Sequence, residues 1–246
     1  MILNSAKNSH ATFRIFCLPY AGGAGDIFRS WMKFLPASLQ VCPIELPGRG
    51  RRSEDAPYTN LMRLVQVLGR DLQPYLDMPF AFFGHSMGAV IAFELARFLR
   101  QEQLPEVTCL FVSGSRAPQV THHEKPSYDL PQPDFIEKLR SLGGTTDELL
   151  QDRKFRQLVL PLLRADFELI QTYVYTRQLP LACPITAFGG VSDHIATVED
   201  LSRWQEQTTR RFALRMLPGG HFFLNADPRL LVETLAGEVD SLQVFR

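Results

Sequence analysis

The 246-residue sequence has no excess of charge, because 26 Lys and Arg residues balance 26 Asp and Glu residues. A protein that binds nucleic acid or an anionic membrane through its overall field needs a basic surplus. No apolar run approaches the ~20 residues that span a bilayer. The first twelve residues also lack a basic segment followed by an apolar one. We therefore expect a soluble, cytoplasmic protein that binds neither nucleic acid nor membrane.

Cysteine is scarce as well, and the spacing of the four that occur argues against two kinds of site. They are widely separated and lie in apolar runs, with neither a Cys-x-x-Cys pair nor a disulfide framework. We interpret them as small core residues in a reducing compartment. We also expect no metal site, because no His, Asp, Glu or Cys cluster has ligand spacing. The four are Cys17, Cys42, Cys109 and Cys183.

Apolar sequence is abundant, at 45% of residues, and suffices for a sizeable core in one domain spanning residues 1–246. Apolar runs of strand length alternate with helical segments, which predicts a mostly parallel sheet with helices on both faces. The predicted strands cover residues 13–18, 39–45, 80–83, 107–113, 184–190 and 212–217. The predicted helices include 27–35 with Asp26 as its cap, 61–72, the segment after Ser86, and 228–242.

The alternation breaks at Arg116, and residues 116–180 contain no clear strand. Helical stretches are predicted at 135–142, 146–151, 155–163 and 165–176. An all-helical insertion between strands is the expected form of a lid over the carboxyl edge of the sheet. Its apolar side chains either line an acyl-binding groove or pack the insertion onto the sheet. The candidates for the groove include Phe135, Leu139, Leu163, Phe167 and Ile170.

A Gly-x-Ser-x-Gly motif, Gly84 to Gly88, follows the apolar strand Phe-Ala-Phe-Phe and precedes a helical segment. This context is typical of a nucleophile elbow, in which Ser86 occupies a sharp strand-to-helix turn. The turn would direct the backbone N–H of Met87 toward a developing oxyanion. The alternative interpretation is an ordinary glycine-rich turn.

A second glycine-rich loop, Pro-Tyr-Ala-Gly-Gly-Ala-Gly, follows the first strand at residues 19–25. It lacks the Lys-Ser/Thr of a P-loop and the Gly-x-Gly-x-x-Gly spacing of a dinucleotide site. Either it supplies a second oxyanion donor, for which the Ala21 N–H is the candidate, or it is a structural turn.

A serine nucleophile needs a general base and a third group that orients the base. Asp193 and His221 each follow a late strand, so the chain order is Ser86, Asp193, His221. This is the order of an α/β-hydrolase fold. We therefore predict a triad in which His221 takes the Ser86 proton and Asp193 holds the imidazole.

Other histidines and acids compete for these roles. His85 follows the strand beside the nucleophile and is expected to point away from the site, as a structural residue or one that supports the catalytic residues from behind. His194 adjoins Asp193, but choosing it would leave His221 without a role. Asp166 lies in the insertion and Asp200 lies in a helix begun by Thr197, so both rank behind Asp193. His122 and His123 lie in a polar loop and are expected to face solvent.

Five motifs in register together resemble the type II thioesterases. These are the stand-alone editing thioesterases of nonribosomal peptide and polyketide synthesis, related to the medium-chain thioesterase of animal fatty acid synthesis. The motifs are Leu-Pro-Tyr-Ala-Gly-Gly from residue 18, Leu-Pro-Gly-Arg from 46, Phe-Gly-His-Ser-Met-Gly from 83, Leu-Arg-Ala-Asp from 163 and Leu-Pro-Gly-Gly-His-Phe from 217.

The resemblance implies hydrolysis of acyl thioesters on the phosphopantetheine arm of acyl- or peptidyl-carrier domains, which frees arms blocked by a wrong acyl group. It assigns the triad to Ser86, Asp193 and His221 and the oxyanion hole to the Ala21 and Met87 amides. No cofactor is expected, because the substrate itself carries the phosphopantetheine. The contact with the carrier is expected to be transient and the protein monomeric.

Carrier domains are usually acidic near the attachment serine, so basic side chains could steer docking. The basic loop at residues 46–52 could equally be a solvated turn. Three alternative functions stay open: a small-molecule carboxylesterase or lipase, a medium-chain fatty acyl-carrier hydrolase, and a non-catalytic binding module on the same fold. The candidate docking residues are Arg49, Arg51, Arg52, Lys138 and Arg140.

Overall fold

A sheet of six parallel strands forms the centre of the computed structural model, which describes residues 10–120 and 125–243. The strand order is β2-β1-β3-β4-β5-β6, and every neighbouring pair is parallel. All strands therefore point their carboxyl ends to one edge. The strands are β1 (Phe13–Leu18), β2 (Leu39–Pro43), β3 (Phe80–His85), β4 (Cys109–Ser113), β5 (Ile185–Gly190) and β6 (Phe212–Leu217).

Helices cover both faces of this sheet, as the sequence predicts. The α-helices are α1 (Leu61–Leu72), α2 (Met87–Gln101), α3 (Gln132–Leu142), α4 (Asp147–Gln151), α5 (Arg153–Gln171), α6 (Val198–Ser202), α7 (Phe223–Ala226) and α8 (Pro228–Gln243). Short 3-10 helices span Gly25–Lys33, Gly50–Arg52, Gln73–Tyr75 and Arg203–Gln207. Within the described residues, no helix is long and apolar enough to cross a membrane.

Strand β3 shows how the two faces are held, because its side chains alternate between them. Phe82 packs with α1 and α2 in one apolar cluster, and Phe83 packs with Trp31 and α8 in the other. Both phenylalanines are fully buried. Burial of such a side chain contributes about 1.5–3 kcal/mol. The central strand is thus fixed from both sides, and so is the turn that follows it.

The prediction that Asp26 caps a helix is wrong. The segment is the 3-10 helix Gly25–Lys33, whose N-cap position is Ala24 and which has no side-chain cap. Its first amide instead donates to Glu45 Oε1 at 3.0 Å. The carboxylate of Glu45, in the loop after β2, therefore caps this helix in place of a local side chain.

The helical insertion, residues 116–180, contains α3, α4 and α5 in the part of it that is described. The predicted break near Arg164 is wrong, since α5 runs without interruption from Arg153 to Gln171 with Pro161 inside it. Asp152 caps its start by accepting the Phe155 amide at 2.7 Å. One long helix therefore carries residues from the outer end of the insertion down to the sheet edge.

Candidate active site

Ser86 lies at the turn between β3 and α2, with φ 53° and ψ −115°. A non-glycine residue in so sparsely populated a region costs about 1–3 kcal/mol, and such strain persists where the surroundings enforce it. A Cβ on Gly84 would lie 2.0 Å from the Gly88 oxygen, and one on Gly88 would lie 2.3 Å from the Leu18 oxygen. The two motif glycines therefore let the turn pack onto the end of β1.

Asp193 and His221 are joined by a hydrogen bond of 2.9 Å between Oδ2 and Nδ1. The loops that carry them touch, because a Cβ on Gly190 would lie 2.4 Å from the Gly220 oxygen. The second carboxylate oxygen, Oδ1, accepts the amides of Ile195 and Ala196 at 2.7 and 3.2 Å. Three donors thus fix the orientation of the carboxylate.

The charge state of Asp193 follows from these contacts. Burial raises the pKa of Asp193, but the hydrogen bond and charge of His221 and the two amides outweigh it and leave the pKa below its ordinary value. The ionised carboxylate accepts the proton on Nδ1 of the imidazole. When the imidazole of His221 is neutral, Nε2 is therefore the acceptor nitrogen, as a general base requires.

His85 does not simply point away from the site. Its buried ring lies 5.1 Å from the His221 ring, between centroids, and its Nδ1 lies 2.9 Å from Ser113 Oγ. Burial, followed by the nearby His221, lowers the pKa of His85 well below its ordinary value. A neutral His85 thus packs against His221. Because β4 and β5 separate β3 from β6, this contact also shows that the loop after β6 crosses the sheet edge back to β3.

The backbone amides near Ser86 fall into two groups. The Gly22 amide donates to Asp166 Oδ2 at 2.7 Å, and the Ser86 amide donates to the Ser113 carbonyl at 2.8 Å. Within the described residues, neither the Ala21 amide nor the Met87 amide donates to a loop or turn carbonyl. Met87 begins α2, where the first amides lack partners inside the helix. The two amides predicted for the oxyanion hole are thus available.

Asp166 and Arg49 form a buried ion pair, which changes two sequence-based interpretations. Arg49 Nη2 lies 2.6 Å from Asp166 Oδ1, and Nη1 lies 2.9 Å from Oδ2. With Arg49 only 5% exposed, its predicted role in docking is wrong. Asp166 is engaged by a guanidinium and a backbone amide, while Asp193 bonds His221. The sequence signal for the pair was only the presence of both residues in the shared motifs.

The other competitors have different positions. Asp200 forms a capping box with Thr197 at the start of α6, as the sequence indicated. The His194 side chain is exposed. His122 and His123 lie outside the described residues. In the described part of the chain, no group of three His, Cys, Asp or Glu could hold a metal ion.

The five apolar candidates for an acyl groove lie in the insertion. In this structure Phe135, Leu139, Leu163 and Phe167 are at most 8% exposed and pack α3 against α5. Ile170 packs against the main core. Leu163 also contacts the glycine-rich loop, since a Cβ on Gly22 would lie 2.6 Å from its Cδ2. Of the five, Leu163 therefore lies next to the candidate oxyanion donor.

One cavity on the insertion was not predicted from the sequence. It has a volume of about 540 Å³ and opens between the start of α3 and the outer face of α5. The three arginines that line the cavity lie on one face of α5, and their spacing in the sequence could have indicated a basic surface there. Within the described residues, none of the ion pairs of the structure includes these three arginines. The lining residues are Gln132, Arg153, Arg156, Gln157, Leu160, Pro161 and Arg164.

Comparisons with known proteins cover almost the whole chain. The family model of the thioesterase domain matches residues 13–240. The gramicidin S biosynthesis protein GrsT of Aneurinibacillus migulanus is 44% identical over 237 residues, which are 96% of this chain and 93% of GrsT.

Two solved structures show the same fold. RedJ, a thioesterase from the prodiginine pathway of Streptomyces coelicolor, has a TM-score of 0.88 at 39% identity, covering 94% of this chain and 92% of its own. YbtT, a type II thioesterase from the yersiniabactin NRPS/PKS pathway, has a TM-score of 0.86 at 28% identity, covering 98% of both chains. The α/β-hydrolase architecture predicted from the sequence is therefore confirmed.

Proposed function

The chain belongs to the thioesterase family, and from that premise we propose that it hydrolyses acyl thioesters on the phosphopantetheine arm of acyl- or peptidyl-carrier domains. The names of GrsT and YbtT, which refer to gramicidin S and to an NRPS/PKS pathway, support a synthase as the partner. The observation that carries the proposal is a strained serine at the start of α2, on the same sheet edge as the His221–Asp193 pair.

In the proposed acylation step, Ser86 Oγ attacks the thioester carbonyl while His221 Nε2 accepts the hydroxyl proton. The carbonyl oxygen gains a negative charge, which the Ala21 and Met87 amides stabilise. The C–S bond then breaks, and His221 returns its proton to the departing sulfur. A thiol has a pKa near ~8.5, so the thiolate leaves more readily than an alkoxide.

In the proposed deacylation step, water attacks the ester that joins the acyl group to Ser86 Oγ. His221 accepts a proton from that water and then donates it to the serine oxygen. The products are a free carboxylic acid and an unblocked arm. We propose an editing role on this basis, since hydrolysis by a stand-alone enzyme regenerates a carrier that bears a wrong acyl group.

A direct test compares one acyl group on three leaving groups: a carrier domain, N-acetylcysteamine and an aryl alcohol. We expect kcat/KM for the acyl-carrier to exceed that for the aryl ester by at least about tenfold, because only the carrier adds contacts outside the cleft. A small-molecule esterase would prefer the aryl ester, and that outcome would contradict the proposal. Varying the acyl length on the carrier then separates editing from a medium-chain preference.

The partner contact is proposed to be transient, with a small buried area, and the protein to act as a monomer. Among the basic residues predicted for docking, Arg51 and Lys138 stay candidates, whereas two others are already paired. Arg52 pairs with Asp55, and Arg140 pairs with two acids. Arg153 and Arg156 instead line the cavity on α5 and take part in none of the ion pairs among the described residues. We therefore place the acidic carrier surface there.

Charge reversal tests this docking face. The double variant Arg153→Glu/Arg156→Glu should raise KM for the acyl-carrier by about tenfold, because attraction becomes repulsion, and leave KM for the acyl-N-acetylcysteamine unchanged. Arg140→Glu is the matched control, since its charge is already balanced by Glu137 and Asp147. Equal changes on both substrates would rule out this face as the docking site.

A further inference from the structure

The ion pair between Arg49 and Asp166 is deeply buried. The two residues are 5% and 1% exposed, and two hydrogen bonds join them. Burying a charged pair costs desolvation energy that the attraction barely repays, so such a pair is weak support for stability. The role of the Arg49–Asp166 pair is therefore better inferred from the other hydrogen bonds that the two side chains make.

Two of those other hydrogen bonds go to the glycine-rich loop after β1, and the third, from Arg49 Nε to the Pro47 carbonyl at 3.4 Å, stays within the loop that carries Arg49. Asp166 Oδ2 accepts the Gly22 amide at 2.7 Å, and Arg49 Nη1 donates to the Gly23 carbonyl at 3.1 Å. The Gly22 amide belongs to the peptide bond directly after Ala21, whose own amide is the candidate oxyanion donor, and the Gly23 carbonyl lies two peptide bonds further along. Gly22 also has φ +76°, a conformation that glycine adopts without strain.

Helix α5 meets this loop and the loop after β2 through neighbouring residues. Leu163 fills the space beside Gly22, and Leu162 Cδ1 would lie 3.1 Å from a Cβ on Gly48. Asp166 follows one turn later on the same side of the helix. A helix of the insertion therefore sets the geometry of two loops at the sheet edge.

We propose that Arg49 and Asp166 are positioning residues that hold the Ala21 amide toward the reacting carbonyl, so that the oxyanion hole is complete only when α5 is seated. The inference rests on the proposed function. It assigns to Asp166 a part in catalysis that involves no contact with the substrate and no proton transfer.

The test is Asp166→Asn, which keeps the shape of the side chain but replaces one of the two oxygens that hold Arg49 and the Gly22 amide with an NH₂ group that cannot accept a hydrogen bond. We expect kcat on acyl-N-acetylcysteamine to fall about 100-fold, the scale of losing one oxyanion donor, with KM changed less than about threefold. Affinity for a trifluoromethyl ketone analogue, which forms an oxyanion on Ser86, should fall in parallel. Affinity for a thioether analogue without a carbonyl should stay unchanged.

Glu94→Gln is the matched control. Glu94 and Arg97 form an equally buried pair at 2.7 Å within α2, and neither contacts the glycine-rich loop. This variant should lose stability but change kcat by less than about threefold. An equal fall in kcat in both variants would overturn the inference, and so would unchanged ketone affinity in Asp166→Asn.

A second variant covers the case in which Asp166→Asn does not fold. Arg49→Met/Asp166→Leu replaces the pair with apolar side chains, an exchange that is often neutral for stability. This double variant should fold, and its kcat should be as low as that expected for Asp166→Asn. A folded double variant with the kcat of the wild-type protein would overturn the inference. If the wild-type protein prefers the aryl ester to the acyl-carrier, the proposed function fails instead. The two failures are therefore distinguishable.

Discussion

Ser86→Ala should lower hydrolysis of an acyl-carrier substrate by about 10⁴-fold or more, because no other group can form the acyl ester. The variant should remain folded, since alanine keeps the Cβ that the turn already accommodates. The measurement is single-turnover release of the acid, together with intact-protein mass spectrometry during turnover of a slowly hydrolysed acyl group. The wild-type protein should gain the mass of that acyl group, and the variant should not.

Ser115→Ala is a suitable control for this experiment. Ser115 is nearly as buried as the residues of the site, but its hydroxyl donates only to the neighbouring Arg116 carbonyl. We expect its kcat to change by less than about threefold. Full activity in Ser86→Ala, or an acyl adduct on another residue, would refute Ser86 as the nucleophile.

The sheet could be predicted because its signals are local. Each buried strand appears as a short apolar run. The elbow combines such a run with Gly84 and Gly88, two positions at which a Cβ would clash with backbone atoms. The roles of Asp193 and His221 could be predicted because each residue lies in a loop directly after one of the last two strands. The carboxyl ends of parallel strands then bring these loops to one edge.

The ion pair could not be predicted in the same way, because it joins residues 117 positions apart. Arg49 lies in a turn-rich basic loop, which by composition is typical of solvated sequence. Its burial depends on α5 lying over that loop. Nothing in the local pattern around Arg49 indicates this, so the same residue was a reasonable candidate for docking.

The 3-10 helix at Gly25–Lys33 shows a related limit. Asp26 has the residue type of a cap, but Glu45 satisfies the Gly25 amide from another loop. The continuity of α5 through Pro161 is a third example, since its buried face packs against two loops of the core. In each case a tertiary contact outweighs a local preference.

Asp193→Asn should lower kcat by about 10⁴-fold while leaving the fold intact. Asn keeps an oxygen for the Ile195 and Ala196 amides, and it then presents its NH₂ group to His221 Nδ1. Nδ1 must become the acceptor, so the proton moves to Nε2, which can no longer take the Ser86 proton. The loss should appear in kcat, with little change in KM, when both are measured on acyl-N-acetylcysteamine.

Asp200→Asn is the control, because Asp200 lies one helical turn beyond the same loop and serves only as a cap. Its kcat should change by less than about threefold. The pKa of Asp193 lies below its ordinary value, so this carboxylate is ionised at neutral pH and its protonation does not limit the wild-type protein there. Asp193→Asn removes that charge and should therefore be slow at every pH measured.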